Sequence, residues 1–161
     1  MALYQSKQVK AGVCAASADE ANDLMAITGE FVVPATLAVN DVIEFGAYPA
    51  DTIALDLIVA TQDLDTDATP TLVLDAGILS GDYAKADSSR TCGAEFIDAS
   101  TVGQAGGVAH AAAAEGLLSA PSLSDRGFGL KVKTAAATLA VGARIRVTLM
   151  VSPPPLSIDA V

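Results

Sequence analysis

The chain has 161 residues, 52% of them hydrophobic but only 4% aromatic, and its 9 Lys and Arg face 19 Asp and Glu for a net charge of −10. That length suits a single domain with one core that needs no disulfide staples. The charge opposes a counterion-releasing grip on phosphate backbones or anionic lipid, so neither a nucleic acid nor a membrane partner is expected.

Residues 1–25 read as an N-terminal arm. The opening MALYQSKQVK has no apolar stretch of secretory-signal type, and Val13 is too bulky for the lipoprotein-like box at Ala11-Gly12-Val13-Cys14. A short helix is expected over 15–25, with Ser17 as N-cap and Glu20 three residues on. Strand signals then begin. Residues 30–33 form a short strand stopped by Pro34, and 41–45 another, ended by Gly46 and Pro49. Residues 52–61 carry the clearest alternation, with Ile53, Leu55, Leu57 and Val59 on one face and Ala54, Asp56 and Ala60 on the other. A polar loop holding Asp63, Asp65 and Asp67 leads to a strand from Pro70, closed by Gly77 and Ser80-Gly81-Asp82.

From 83 to 124 the periodicity loosens. Residues 95–97 read as strand, 103–107 as a Gly-rich loop, and 110–118 as a helical turn or more. A long segment of this kind inside a compact domain is often a functional or interface loop. Two strands close the pattern, 128–133 and 144–151, joined by a small-residue connector. Pro153, Pro154 and Pro155 then end the sheet. The expected fold is all-β, an antiparallel β-sandwich or jelly roll over 26–152, with the arm before it and a proline-rich tail at 153–161. No βαβ rhythm suggests a parallel sheet, and no run approaches the ~18 apolar residues of a membrane span.

Reactive chemistry is sparse. Asp63, Asp65 and Asp67 have the D-x-D-x-D start of a calcium loop, but Ala68 and Leu74 stand where glycine and a bidentate glutamate belong. They are a weak metal candidate beside the plainer reading of a solvated hairpin loop. His110 stands alone among alanines, without the three or four clustered ligands of a zinc site. No G-x-S-x-G elbow places a serine nucleophile. Residues 103–107 lack the Lys and the strand-turn-helix context of a phosphate loop. Cys14 and Cys92 make no disulfide framework and read as small buried hydrophobes. No catalytic residue, cofactor or enzyme activity is expected. Lys131, Lys133, Arg144 and Arg146 would share one exposed face if their strands were antiparallel neighbours. Cross-strand pairing with Asp56 or Asp75 would absorb them, at ~0.2–1 kcal/mol each; docking onto an acidic protein shell is the functional alternative.

The order of these elements resembles the head decoration, or cement, proteins of tailed bacteriophages. The likeness is carried by the Met-Ala-Leu-Tyr start, Asp-Val-Ile-Glu-Phe, the strand from Ile53 to Val59, Asp-Leu-Asp-Thr-Asp, Thr-Leu-Val-Leu-Asp-Ala-Gly and Gly-Ala-Arg-Ile-Arg-Val-Thr-Leu-Met-Val. It spans most of 27–152. The resemblance implies a chain made in the host cytoplasm that binds the major capsid protein on the outer capsid surface and stabilises the shell, as a homodimer or homotrimer. It makes Leu3, Tyr4, Lys7 and Val9 of the arm, and Pro153, Pro154 and Pro155 of the tail, candidates for reaching across subunits. The alternatives are a carbohydrate-binding or adhesive β-sandwich, for which Tyr4, Tyr48 and Tyr83 are the only tyrosines and no Trp is present, or another phage head or tail accessory protein.

Overall fold

The computed structural model describes residues 2–10 and 24–154. Among them are nine strands: β1 (Leu3–Gln5), β2 (Met25–Val32), β3 (Val42–Tyr48), β4 (Ile53–Thr61), β5 (Val73–Asp82), β6 (Ile97–Ser100), β7 (Gly107–His110), β8 (Arg126–Thr134) and β9 (Arg144–Ser152). Two single-turn helices, α1 (Lys7–Lys10) and α2 (Ala114–Leu117), and a 3₁₀ turn at Val102–Gln104 complete the regular structure.

The strands form two sheets, in the orders β1-β3-β8-β5-β6 and β2-β9-β4-β7. The all-β sandwich anticipated from the alternation is the fold observed. Its ladders β2–β9, β3–β8, β4–β7 and β5–β6 are all antiparallel. The chain from β2 to β9 is therefore one long hairpin, folded at β5–β6 and rolled so that its arms distribute between two sheets. Two further antiparallel ladders, β4–β9 and β5–β8, close the roll. Ile43, Phe45, Leu57, Phe96, Phe128 and Leu149, all fully buried, lie in the core between the sheets.

Three expectations are corrected. The last two strands are not neighbours: β8 lies between β3 and β5, and β9 between β2 and β4. The connector at 135–143 crosses from one sheet to the other, so Lys131 and Lys133 do not share a face with Arg144 and Arg146. In β4 the register shifts between Ala54 and Asp56. This bulge reverses the phase of the strand, so Ala54 is buried while Leu55 is 46% exposed. His110, expected in a helical turn, ends β7 instead, and the turn at α2 follows it. The expected helix over 15–25 falls almost wholly outside the described residues, as does Cys14. Met25 already belongs to β2.

The two outer sheet faces differ. The open face of β2-β9-β4-β7 carries Thr28, Ile58, Thr148 and Met150 toward solvent. The outer face of the other sheet is covered by the excursion between β5 and β6. Cys92 packs there against Leu3, Val42 and Leu79 as a second small core. Gly77 of β5 and Gly127 of β8 make the room. A Cβ at Gly77 would run into the Gly93 backbone and the Glu95 carboxylate, and one at Gly127 into Glu44 and Arg90. Gly77→Ala should therefore lift the overlay and cost roughly 2–4 kcal/mol. Thermal melting checks the loss. In a Cys14→Ser background, a thiol reagent should label native Cys92 faster in the Gly77→Ala protein than in its parent.

Candidate interaction surfaces

The predicted N-terminal contacts turn inward. β1 pairs in parallel with β3, matching Leu3 to Val42 and Tyr4 to Ile43. The Ala2 amide donates to Asp41 Oδ1 (2.5 Å), and Asp41 Oδ2 accepts the Ala38 amide (2.9 Å). Tyr4 packs edge-on to Phe31 (5.7 Å between centroids) and donates its hydroxyl to the Thr36 carbonyl (3.0 Å). The buried Ser6 hydroxyl donates to the Phe45 carbonyl (2.7 Å), and Val9 is buried behind it. Leu3, Tyr4 and Val9 thus spend apolar surface on their own domain. The backbone of Lys7 opens α1. Pro153 is half-buried and Pro154 exposed beyond β9; Pro155 lies outside the described residues.

The four predicted cations form two unrelated groups. Lys131 Nζ lies 3.0 Å and Lys133 Nζ 3.4 Å from the buried Asp75 carboxylate, and Lys133 also pairs with Asp98. Burial pushes the Asp75 carboxyl up, but the Ala99 amide and the two lysines outweigh it and hold the group below its ordinary range. These lysines are consumed by cross-strand pairing. On the other sheet, Arg146 Nη2 lies 3.4 Å and Arg144 Nη1 3.7 Å from the two oxygens of Glu30. Both arginine side chains are about two-thirds exposed, at 68% for Arg144 and 62% for Arg146. Asp56 pairs instead with His110, 2.8 Å from Nδ1, on the edge strand.

Sequence patterning gave no hint of a buried pair under the overlay. Arg90 Nη2 sits 2.9 Å from Glu44 Oε1, with both side chains almost wholly excluded from solvent. Arg90 also donates through Nε to the Ser80 carbonyl (2.8 Å) and through Nη1 to the Lys85 carbonyl (3.2 Å). Glu44 accepts from Gln5 (3.2 Å) and from the Ala84 amide (3.3 Å). The pair ties β1, β3 and the overlay together. Beside it, burial first and the Glu95 charge second push the Cys92 thiol up to about 12, so it stays protonated and is no nucleophile.

The aspartate loop is an internal knot. Asp65 Oδ2 accepts the amides of Thr71 (2.7 Å), Leu72 (3.1 Å) and Ala137 (3.0 Å), and Oδ1 that of Thr138 (2.8 Å). One buried carboxylate therefore joins the β4–β5 connection to the β8–β9 connection. Asp63 accepts the Asp65 amide, while Asp67 takes the Thr69 amide and the Thr138 hydroxyl. Among the described residues no three His, Cys, Asp or Glu side chains converge as a metal would need. The aromatic rings are all buried or half-buried, which leaves no exposed platform for stacking a sugar.

Desolvation pushes the Asp65 carboxyl up, but the amides of Thr138, Thr71, Ala137 and Leu72 together hold it at about 2. A carboxyl lowered on folding adds stability above its unfolded value near 3.8 and loses it as pH falls toward the folded one. The wild-type protein should lose stability between pH 4 and 2 in a way that Asp65→Asn does not. At pH 7 that variant should be roughly 2–4 kcal/mol less stable, because its amide NH₂ faces a backbone N–H whichever way it turns. Urea melts at several pH values measure both effects.

No protein-family model matches the chain, and no curated protein does. Solved structures do. A chain in the capsid of Ralstonia phage GP4 is 36% identical, with a TM-score of 0.89 over 96% of this chain and 99% of that one. A chain of the cyanophage Pam1 capsid asymmetric unit is 27% identical, with a TM-score of 0.67 over 88% of this chain and 93% of that one. A chain from the acidic stable capsid of Helicobacter pylori bacteriophage KHP30 shares the fold alone, at 11% identity and a TM-score of 0.54 over 84% and 92%.

Proposed function

The chain belongs to the family of bacteriophage capsid proteins that includes the Ralstonia phage GP4 chain, and we propose that it is a structural virion protein of the decoration, or cement, type. In this reading it sits on the outer surface of an assembled head, contacts the major capsid protein and stabilises the shell. The strand pairing β2–β9, β3–β8, β4–β7 and β5–β6 supports a jelly-roll reading of the sandwich.

The observation that carries the reading is that the described domain closes both its cores with its own residues. The main core lies between the sheets, and the second is sealed by Leu3 and Cys92. A domain whose cores are closed by its own residues suits a component added to a finished shell.

The mechanism is mechanical. Each copy bridges neighbouring shell subunits, and many weak contacts on one lattice sum through avidity to resist outward pressure on the shell. The chain acts without a cofactor and performs no turnover. Association into a homodimer or homotrimer would multiply the contacts each unit makes under closed symmetry.

Adding purified chain to expanded heads lacking it tests the proposal. Bound copies, counted after sedimentation, should saturate at a fixed ratio to the major capsid protein, and decorated heads should survive heating that disrupts bare ones. Absence of binding to intact heads, with the chain entering only during shell assembly, would contradict it.

A further inference from the structure

At the end of the open sheet the described residues group cations around a single carboxylate. Two recesses flank Glu30 on β2. One, of about 250 Å³, is lined by Ala60, Thr61, Gln62, Arg144 and Arg146 as well as Glu30. The other, of about 150 Å³, is lined by Gln5, Lys10, Phe31 and Val32 as well as Glu30. Three cationic side chains thus surround one carboxylate, and among the described residues no other acidic group lines either recess.

Elsewhere the ledger is different. Lys131 and Lys133 face Asp75 and Asp98, Lys85 faces Asp82, and Arg90 is buried against Glu44. On a chain of net charge −10, the rim of β2 and β9 is a local cationic excess. It adjoins apolar surface, since Val32 is exposed beside it. It also belongs to the outer sheet face that the described residues leave uncovered. Guanidinium groups of this kind prefer planar carboxylates, which they grip through two parallel N–H donors.

We propose that Lys10, Arg144 and Arg146, grouped around Glu30, form a docking site for an acidic segment of a neighbouring shell protein. The proposal rests on the decoration reading and names which of its surfaces faces the shell. The acidic partner is the occupant that charge complementarity selects. A second copy of this chain would bring its own negative surplus to every other part of the contact, and nucleic acid would be repelled by the same surplus.

Charge reversal tests it. Arg146→Glu should weaken binding to bare expanded heads by at least about tenfold. Lys85→Glu, which changes net charge equally at an exposed cation elsewhere, should change it less than about twofold. Arg146→Gln provides a milder second variant: its affinity should respond less to added NaCl than that of the wild type. Thermal melts establish that each variant is folded. If wild-type chain binds and both Arg146 variants bind as tightly with the same salt response, the docking site is overturned and decoration stands. If wild-type chain does not bind heads, decoration fails and the docking site with it.

Discussion

The carboxylate of Asp65 is the constraint on which the sandwich depends. A rolled hairpin must carry its chain between sheets, and each crossing strands backbone amides away from a ladder. Buried amides need acceptors. Asp65 supplies them for two crossings at once, taking Thr71 and Leu72 from the β4–β5 connection and Ala137 and Thr138 from the β8–β9 connection. Four aligned N–H dipoles stabilise the buried charge without any cation. The same contacts hold the β8–β9 connector in place as it carries the chain from the β3–β5 slot to the β2–β4 slot.

From that closure follows the inequality of the two outer faces. One sheet is overlaid by the chain's own excursion, fixed through Arg90 and Glu44 and admitted by glycines where side chains would collide. The buried pair is better read as a device of specificity than of net stability, since charges lose much hydration on burial. The described residues leave the other sheet open, bordered by Arg144 and Arg146.

Much of this was legible in the sequence. Alternation locates the long strands, because a strand with one buried face must alternate. The missing parts have physical reasons. Leu55 was placed inward because a bulge is invisible to a period-two pattern. Lys131 and Arg144 were placed together because alternation identifies strands but not their neighbours. Leu3 and Tyr4 read as part of an N-terminal arm because three residues pairing in parallel with β3 give too short a signal. The weak periodicity of 83–124 reflects short strands and an overlay held by backbone contacts, glycines and one ion pair. The Asp65 knot is half visible: the aspartates stand out, but their spacing reads as a solvated loop, with an ion as the weaker candidate, where the structure buries Asp65 among backbone amides.

The most direct measurement is a cryo-electron microscopy reconstruction of the phage particle that carries this chain. The account predicts discrete sandwich densities on the outside of a shell that is continuous beneath them. Density for the chain within the continuous shell, exchanging strands with its neighbours, or on the inner surface, would contradict it.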